Sequence, residues 1–350
     1  MKYFIKQSTF FLLFCILINY FLNRLFPLNG NEYYKVKYDF LQKEPDNKYN
    51  VFFIGSSRIY RHVVPSVFDS CCRTIAGCKS FNLGSPGAAP PESYSLCENF
   101  LKDYNSSKVN YVFLELAPIL PIDRQNLFAK QSYYWLDWDY TLSSVKYFFN
   151  KDQSLSQNSK DIFNFIFCFF QKEIGFNYLS GIEEVDKKEH FLGKRKDGYY
   201  SLEEEERYIS MGKAEKNGVA ERRKEFIKDT NQLCVRCTES GIPFLKSEFQ
   251  KKEFYSTEYD MLAHLLDVSK EKNIHLMFII PPRLGRTDYE EVLFFKHHLP
   301  KENVIEIANP KEYPELWAVN RSFDIGHLNE TGAQLFSRLL AEKCNILLQQ

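Results

Sequence analysis

The sequence has no excess of charge of either sign. Lysine plus arginine and aspartate plus glutamate each number 45, so the formal net charge at pH 7 is zero. Because surfaces that bind nucleic acid need a basic surplus, the composition gives no reason to expect DNA or RNA as a partner. Internal repeats and low-complexity tracts are also lacking. The rest of the composition, 44% hydrophobic and 26% charged among 350 residues, is typical of a globular protein with a sizeable core.

Metal-binding and cofactor-binding motifs are equally scarce. The chain has nine cysteines, and Cys234 and Cys237 among them have the spacing of half a zinc or redox site. This pair lies in a charged helical stretch without a second pair nearby, so a local disulfide or free buried thiols are the favoured alternatives. We therefore expect neither a metal nor a cofactor.

The N-terminal segment, residues 1–27, has the pattern of a membrane anchor. Lys2 and Lys6 precede an apolar stretch over residues 8–26, close to the roughly 20 residues that a transmembrane helix needs. Basic residues before the stretch favour an N-terminus in the cytoplasm, and no small-residue cleavage site follows it. The pattern predicts an uncleaved single-pass anchor in the cytoplasmic membrane and a polar stalk over 28–48. The remaining domain would then lie outside the cytoplasm, in the periplasm or the extracellular space.

Beyond residue 48, short apolar runs alternate with helical patterns, as in a parallel sheet with helical crossovers. The unbroken apolar character of the runs favours strands covered on both faces. The predicted strands are 50–55, 79–84, 109–116, 274–280 and 303–308, and the predicted helices are 91–104, 257–272, 287–298 and 330–347. The sequence therefore predicts an α/β domain over 49–350, interrupted by a helical insertion or cap at about 120–255, over the carboxyl edge of the sheet.

Three polar motifs fall at the ends of predicted elements. Residues 55–58, Gly-Ser-Ser-Arg, follow the first strand, and residues 82–87, Asn-Leu-Gly-Ser-Pro-Gly, follow the second. Residues 324–329, Asp-Ile-Gly-His-Leu-Asn, precede the final helix. Open parallel sheets bind ligands in the crevice beyond the carboxyl ends of their strands. We therefore expect the three motifs to meet at that edge.

The residue types in these motifs are those of a serine nucleophile and its base. A serine hydroxyl becomes a good nucleophile when a neighbouring base takes its proton, and the imidazole of His327 titrates in the right range. Asp324, three residues earlier, would fix the histidine tautomer and stabilise the imidazolium. Two simpler interpretations stay open: Ser57 as a polar turn or helix cap, and His327 as a structural histidine.

Other residues near these motifs have several possible roles. Gly84, which lacks a side chain, would let its backbone N–H approach a developing oxyanion, or it simply permits a tight turn. Asn82 is equally suited to a turn and to an oxyanion or ligand contact. Arg58 either binds an anionic group of a substrate or pairs with a carboxylate such as Glu115. His62 is a rival base within the first helical turn after the serine.

Taken together, these motifs resemble the SGNH, or GDSL-type, hydrolase superfamily. That family has a glycine-x-serine after the first strand, a glycine after the second and a terminal Asp-x-x-His. The resemblance implies that Ser57 is the nucleophile, with Ser56 where many members have aspartate. It also implies that Gly84 is an oxyanion donor and that Asp324 and His327 complete a triad. The fold it implies is a three-layer α/β/α sandwich with a mainly parallel, flavodoxin-like sheet.

The third motif of the family is missing. Members usually end the third strand with a glycine and an asparagine that supplies a further oxyanion donor, whereas this strand ends in Glu115, Leu116 and Ala117. The resemblance covers about residues 50–118 and 270–346. The missing asparagine leaves open a slower enzyme, a donor from the insertion, or a domain without catalysis.

The Gly-Ser-Ser-Arg form together with an anchor is most similar to the cell-envelope branch of the family. That branch includes the D-alanylation protein of teichoic acids and alginate acetyltransferases. The resemblance implies a membrane-anchored, extracytoplasmic serine esterase or O-acyltransferase that acts on acylated envelope polysaccharide. Its implied partners are an acylated glycan or other ester substrate, the membrane, and a membrane protein of envelope biosynthesis. The alternative is a non-catalytic relative that binds glycan or assists envelope assembly.

Overall fold

Five parallel strands form the centre of the protein in a computed structural model, which describes residues 2–25, 31–44, 48–104, 108–122, 130–174, 185–213 and 217–349. The strands are β1 (Val51–Ile54), β2 (Ser80–Asn82), β3 (Tyr111–Glu115), β4 (His275–Ile280) and β5 (Val304–Glu306). They lie side by side in the order β2-β1-β3-β4-β5, and every neighbouring pair is parallel. The predicted α/β class and all five predicted strands are confirmed.

Helices cover both faces of the sheet because the strand residues alternate between them and are apolar on both sides. The ring of Phe52 in β1 packs 4.7 Å from that of Phe100 on one face, and the ring of Phe53 packs 5.0 Å from that of Phe68 on the other. All four residues of β1 are fully buried. The strand order reverses direction between β1 and β3, which is where ligands bind in folds of this kind.

The helices match the sequence pattern closely wherever a prediction was made. The four predicted helices correspond to α5, α12, α13 and α14, and Asn329 caps α14 by accepting a hydrogen bond from Gly332 N at 2.9 Å. The described α-helices are α1 (Lys2–Leu25), α2 (Glu32–Lys43), α3 (Ser57–His62), α4 (Pro65–Cys71), α5 (Glu92–Asp103), α6 (Lys130–Trp135), α7 (Trp138–Asn150), α8 (Leu155–Ile174), α9 (Leu202–Ser210), α10 (Val219–Lys228), α11 (Asn231–Gly241), α12 (Glu253–Glu271), α13 (Arg286–His298) and α14 (Glu330–Leu347).

The predicted membrane anchor is wrong. Among the described residues, no helix combines the length and the apolar character that crossing a membrane requires. In α1 the uninterrupted apolar run covers only residues 10–18, because Gln7, Ser8 and Thr9 precede it and Asn19 follows. That run is about half of the roughly 20 residues that a span needs. The single-pass topology and the predicted localisation depended on this anchor and are corrected with it. The predicted partners stay predictions.

The predicted stalk over 28–48 is also different in the structure, where its described part forms α2 and packs on the domain. Tyr34 and Leu41 are buried in the main core. Lys37 is fully buried, and its Nζ donates to Gly84 O at 2.6 Å and lies 3.6 Å from the centre of the Tyr60 ring. This segment is therefore part of the structure that supports the second polar motif, although its charged and tyrosine-rich sequence is typical of an exposed linker.

The described part of residues 120–255 is helical, and part of it lies against α3. The Tyr60 hydroxyl donates to Phe191 O at 2.9 Å, while Arg61 donates to Tyr200 O at 2.7 Å and pairs with Glu205. These contacts place the segment from residue 191 to residue 205 beside the serine motif. The limits of the predicted insertion stay a prediction.

Candidate functional site

Ser57, His327 and Asp324 lie in hydrogen-bond contact although 270 residues separate the serine from the histidine. Ser57 Oγ is 2.9 Å from His327 Nε2, and His327 Nδ1 is 2.9 Å and 3.1 Å from the two carboxylate oxygens of Asp324. Asp324 is buried, whereas His327 keeps a fifth of its side chain exposed. The structure thus brings the three predicted residues into the geometry of a serine nucleophile, a base and an orienting carboxylate.

The two consecutive serines after β1 have separate roles. Ser56 is buried and caps α3, since its Oγ accepts a hydrogen bond from Arg58 N at 3.2 Å. Ser57 is the first residue of the helix and is partly exposed, with its hydroxyl directed to His327. The cap interpretation therefore applies to the first serine and the base contact to the second.

The loop before α14 fixes the histidine ring through Asp324. One carboxylate oxygen of Asp324 accepts from the backbone N–H of Gly326 and of His327, both at 2.8 Å. Burial alone would raise the pKa of Asp324. The hydrogen bond and charge of His327, the Gly326 N–H and the nearby Arg222 outweigh burial and hold that pKa below its ordinary value of 3.8. An ionised Asp324 favours the tautomer in which Nδ1 carries a proton and Nε2 is free to accept one from Ser57.

His62, the rival base, lies behind the triad and is fully buried. Its Nε2 accepts a hydrogen bond from Leu328 N at 3.1 Å, and its ring centre is 6.0 Å from that of His327. Burial lowers the pKa of His62 well below 6.5, with further lowering by the charges of His327 and Arg58. His62 therefore supports the loop that carries His327 as a neutral acceptor.

Glu115 occupies the position where the family's third motif would lie, at the end of β3. It is almost completely buried, and its Oε2 accepts a hydrogen bond from Ser56 N at 2.6 Å. Its Oε1 is 3.3 Å from Arg58 Nη1, so the structure contains the pair that the sequence offered as one role for Arg58. A side chain on Gly55 would clash with this carboxylate, because an added Cβ would lie 2.6 Å from Glu115 Cβ. The Glu115 carboxylate thus fixes the turn that contains Ser56 and Ser57 through its hydrogen bond with Ser56 N.

Asn82 and Gly84 are not placed as free donors. The Asn82 amide donates to Ile59 O and Val63 O, both at 2.8 Å, and its Oδ1 accepts from Gly84 N at 2.9 Å. Both residues are fully buried. Their hydrogen bonds instead satisfy the carbonyls at the end of α3. Gly84 is needed for close approach, since an added Cβ would lie 2.5 Å from Tyr60 N.

Two arginines near the triad were missed in the sequence. Arg283 lies just beyond β4 and is fully buried, and its φ of 79° is in the left-handed region that is unfavourable for a residue with a side chain. Its Nη2 donates to Leu316 O at 2.7 Å and to Ser322 Oγ at 2.6 Å. Arg236 of α11 donates to the Arg283 carbonyl at 2.9 Å. The position of Arg283 after a strand end was the one indication that the sequence contained.

Metal-binding groups are not found in the part of the chain that the structure describes. All nine cysteines are free thiols, including Cys234 and Cys237 on α11.

Comparisons of the chain with protein-family models, with curated proteins and with solved structures found no match.

Proposed function

We propose that this protein is a serine-dependent esterase or O-acyltransferase of the SGNH type. The observation that carries the proposal is the continuous contact from Ser57 Oγ through the His327 ring to Asp324, at 2.9 Å in each step. The strand order and the helices on both faces support the finer assignment to a three-layer α/β/α sandwich with a flavodoxin-like sheet. A helical cap at about residues 120–255, over the carboxyl edge of the sheet, is part of the same proposal.

In the proposed reaction Ser57 Oγ attacks the carbonyl carbon of an ester while its proton passes to His327 Nε2. The tetrahedral intermediate collapses when His327 returns that proton to the leaving alcohol, which leaves an acyl-enzyme. A water molecule or a sugar hydroxyl then gives its proton to His327 and attacks the acyl group. As the second tetrahedral intermediate collapses to the acid or the new ester, His327 returns that proton to Ser57 Oγ, which restores the free serine and the neutral base. Because Ser57 begins α3, its own N–H has no carbonyl partner within the helix and is the nearest candidate for an oxyanion donor.

An acylated polysaccharide is the substrate class that the family resemblance supports. Hydrolysis and transfer differ only in whether water or a sugar hydroxyl accepts the acyl group. A panel of O-acetylated glycans, with released acetate and acylated acceptor measured in parallel, separates the two reactions.

A fluorophosphonate probe tests the nucleophile directly, because it forms a covalent bond only with an activated serine. We expect the full-length protein to be labelled at Ser57 and the Ser57→Ala variant to remain unlabelled. The Ser56→Ala variant is the matched control, since it removes the neighbouring capping hydroxyl and leaves the contact with His327 in place. Labelling of Ser57→Ala equal to that of the wild type would refute the assignment.

The alternative is a non-catalytic domain that binds glycan, and one observation favours it. The Gly84 N–H bonds to Asn82 Oδ1, and the third-strand asparagine of the family is replaced here by Glu115, Leu116 and Ala117, so Ser57 N–H lacks the two companions expected from the family. Removing one oxyanion donor in other enzymes costs roughly 10²–10³ in rate. Absent probe labelling combined with measurable glycan binding would support this alternative.

A further inference from the structure

Arg236 and Arg283 have no acidic partner within the described residues, which is unusual for buried guanidinium groups. No carboxylate of the described chain lies within 4.0 Å of either side chain, whereas Arg58 pairs with Glu115 and Arg222 with Asp324. Arg283 is fully buried, with Nε and Nη1 unpartnered, and the buried Nε of Arg236 also has no hydrogen-bond partner among the described residues. The region therefore holds two positive charges without an ion-pair partner among the described residues.

Hydrogen bonds connect these two arginines to the loop that carries Asp324 and His327. Arg236 donates to the carbonyl of Arg283, and Arg283 donates to Ser322 Oγ, two residues before Asp324. Arg58 follows Ser57 in the first turn of α3 and keeps a quarter of its side chain exposed. Arg236 is half-buried, so part of its side chain is open to solvent and to a ligand.

We propose that Arg58 and Arg236, with Arg283 behind them, form a subsite for an anionic oxygen group of the substrate, next to the serine. A carboxylate, a phosphate and a sulfate share the chemistry that a guanidinium recognises, because its N–H donors match their paired oxygens. The proposal rests on the proposed function in one respect, namely that the anion belongs to the ester substrate. Burying an unpaired charge is costly, and a bound anion removes that cost.

The electrostatics of the region support this subsite. Burial lowers the pKa of Arg236, and the positive charge of Arg58 lowers it further, which places the two groups within mutual influence. Burial likewise lowers the pKa of Arg283 from 12.5 to about 10. The facing acids, Asp288 and Asp324, act in the opposite direction on Arg236 without forming an ion pair with it. A ligand anion would strengthen the protonated state of both arginines.

Calorimetric titration of the full-length protein with inorganic phosphate, sulfate and acetate tests the subsite without turnover. We expect at least one anion to bind both the wild type and Ser57→Ala, and binding to weaken as NaCl is added. Arg236→Met should weaken that binding by about 10- to 100-fold, and Arg236→Lys should retain part of it. Arg338→Met removes an exposed arginine of α14 and should leave binding unchanged. The tightest of the three anions identifies the chemical group.

Two results would overturn the subsite: binding of none of the three anions, or equal binding by wild type and by a folded Arg236→Met variant. Hydrolysis of p-nitrophenyl acetate in a protein that binds no anion leaves the esterase proposal intact and removes the subsite. Anion binding that depends on Arg236 in a protein with no labelling of Ser57 leaves the subsite intact and removes the esterase proposal. The two proposals therefore fail separately.

Discussion

The turn after β1, residues 55–58, and the turn after β2, residues 82–85, leave neighbouring strands at the same edge of the sheet, and each contains a glycine and a serine. In the first turn Ser57 contacts His327, while in the second Ser85 donates to Asn31 Oδ1 at 2.9 Å and is fully buried. Neither glycine tolerates a Cβ without a clash. Similar residue types at equivalent positions thus present a partly exposed hydroxyl to His327 in the first turn and form internal hydrogen bonds in the second.

Helix α3 connects the two turns and accounts for the difference. It begins at Ser57, so its N-terminal end lies at the contact with His327, and the carbonyls near its other end accept hydrogen bonds from Asn82. The hydrogen-bonding groups of the second turn are therefore used at the C-terminal end of α3, the helix that begins in the first turn. A polar residue after a strand is available to a ligand only when no helix end nearby needs its hydrogen bonds.

The largest expected effect comes from replacing one serine of each turn with alanine and comparing the two variants. Ser57→Ala should lower the rate of p-nitrophenyl acetate hydrolysis by roughly 10⁴-fold or more, because it removes the nucleophile and leaves only binding and oxyanion contacts. Ser85→Ala should leave the rate unchanged and cost about 1 kcal/mol of stability through one lost hydrogen bond. Steady-state kinetics on both variants, with denaturant unfolding alongside, measure the contrast. Equal rates in the two variants would erase the distinction between the turns.

A smaller effect, on stability, is expected at Asn82. Asn82→Ala removes three hydrogen bonds and leaves the Val63 carbonyl and the Gly84 N–H without these partners, while the Ile59 carbonyl keeps its bond from Val63 N. We expect a loss of about 2 to 4 kcal/mol in the free energy of unfolding. Chemical denaturation measures it, with the exposed Asn231→Ala as the control.

The same variant also separates a structural from a catalytic role for Asn82. Labelling of Ser57 by the fluorophosphonate probe, expressed per folded molecule, should stay near the wild-type rate in Asn82→Ala. A variant of unchanged stability that labels much more slowly would instead make Asn82 part of the site.

The sequence was sufficient for the sheet and for the triad, because both leave local patterns. Runs of apolar residues predict the strands. Ser57 follows the first strand and His327 precedes the final helix, and both positions belong to the sheet edge where parallel folds bind ligands. Whether the N–H groups of Asn82 and Gly84 are available to a ligand could not be predicted in this way. It depends on which carbonyls of α3 need a hydrogen-bond donor in the folded protein. The position of Arg283 after β4 is the one local indication, and Arg236 in α11 has none, because the contact between the two residues exists only in the folded chain.

The prediction of a membrane anchor was wrong for a related reason. The composition of residues 8–26 suggested a span, but polar residues at both sides of its apolar centre leave no described helix that could cross a membrane. The stalk prediction failed because Lys37 and Tyr34 of α2 look exposed in sequence and are buried by the rest of the domain, Lys37 with the distant Gly84 O as its hydrogen-bond partner. Distant partners decide burial, and a single sequence does not identify them.

The smallest expected effect, and the one that depends on pH, comes from His62 at the end of α3. The folded protein keeps this histidine neutral, with a pKa well below 6.5, whereas the unfolded chain takes up a proton as the pH falls below 6.5. The contribution of His62 to stability is therefore complete above pH 6.5 and decreases below it, by about 1.4 kcal/mol per pH unit until the folded pKa is reached.

His62→Gln tests this prediction because a glutamine oxygen can accept the hydrogen bond from Leu328 N and does not titrate. The difference in unfolding free energy between wild type and His62→Gln should stay constant above pH 7. It should then shift against the wild type by about 1 kcal/mol or more between pH 6.5 and 5.5. His62→Asn, whose shorter side chain does not reach Leu328, should be the less stable of the two variants at pH 8. Parallel stability curves for wild type and His62→Gln would mean that His62 takes up its proton at the same pH in the folded and in the unfolded chain, which contradicts a neutral, buried acceptor for Leu328 N.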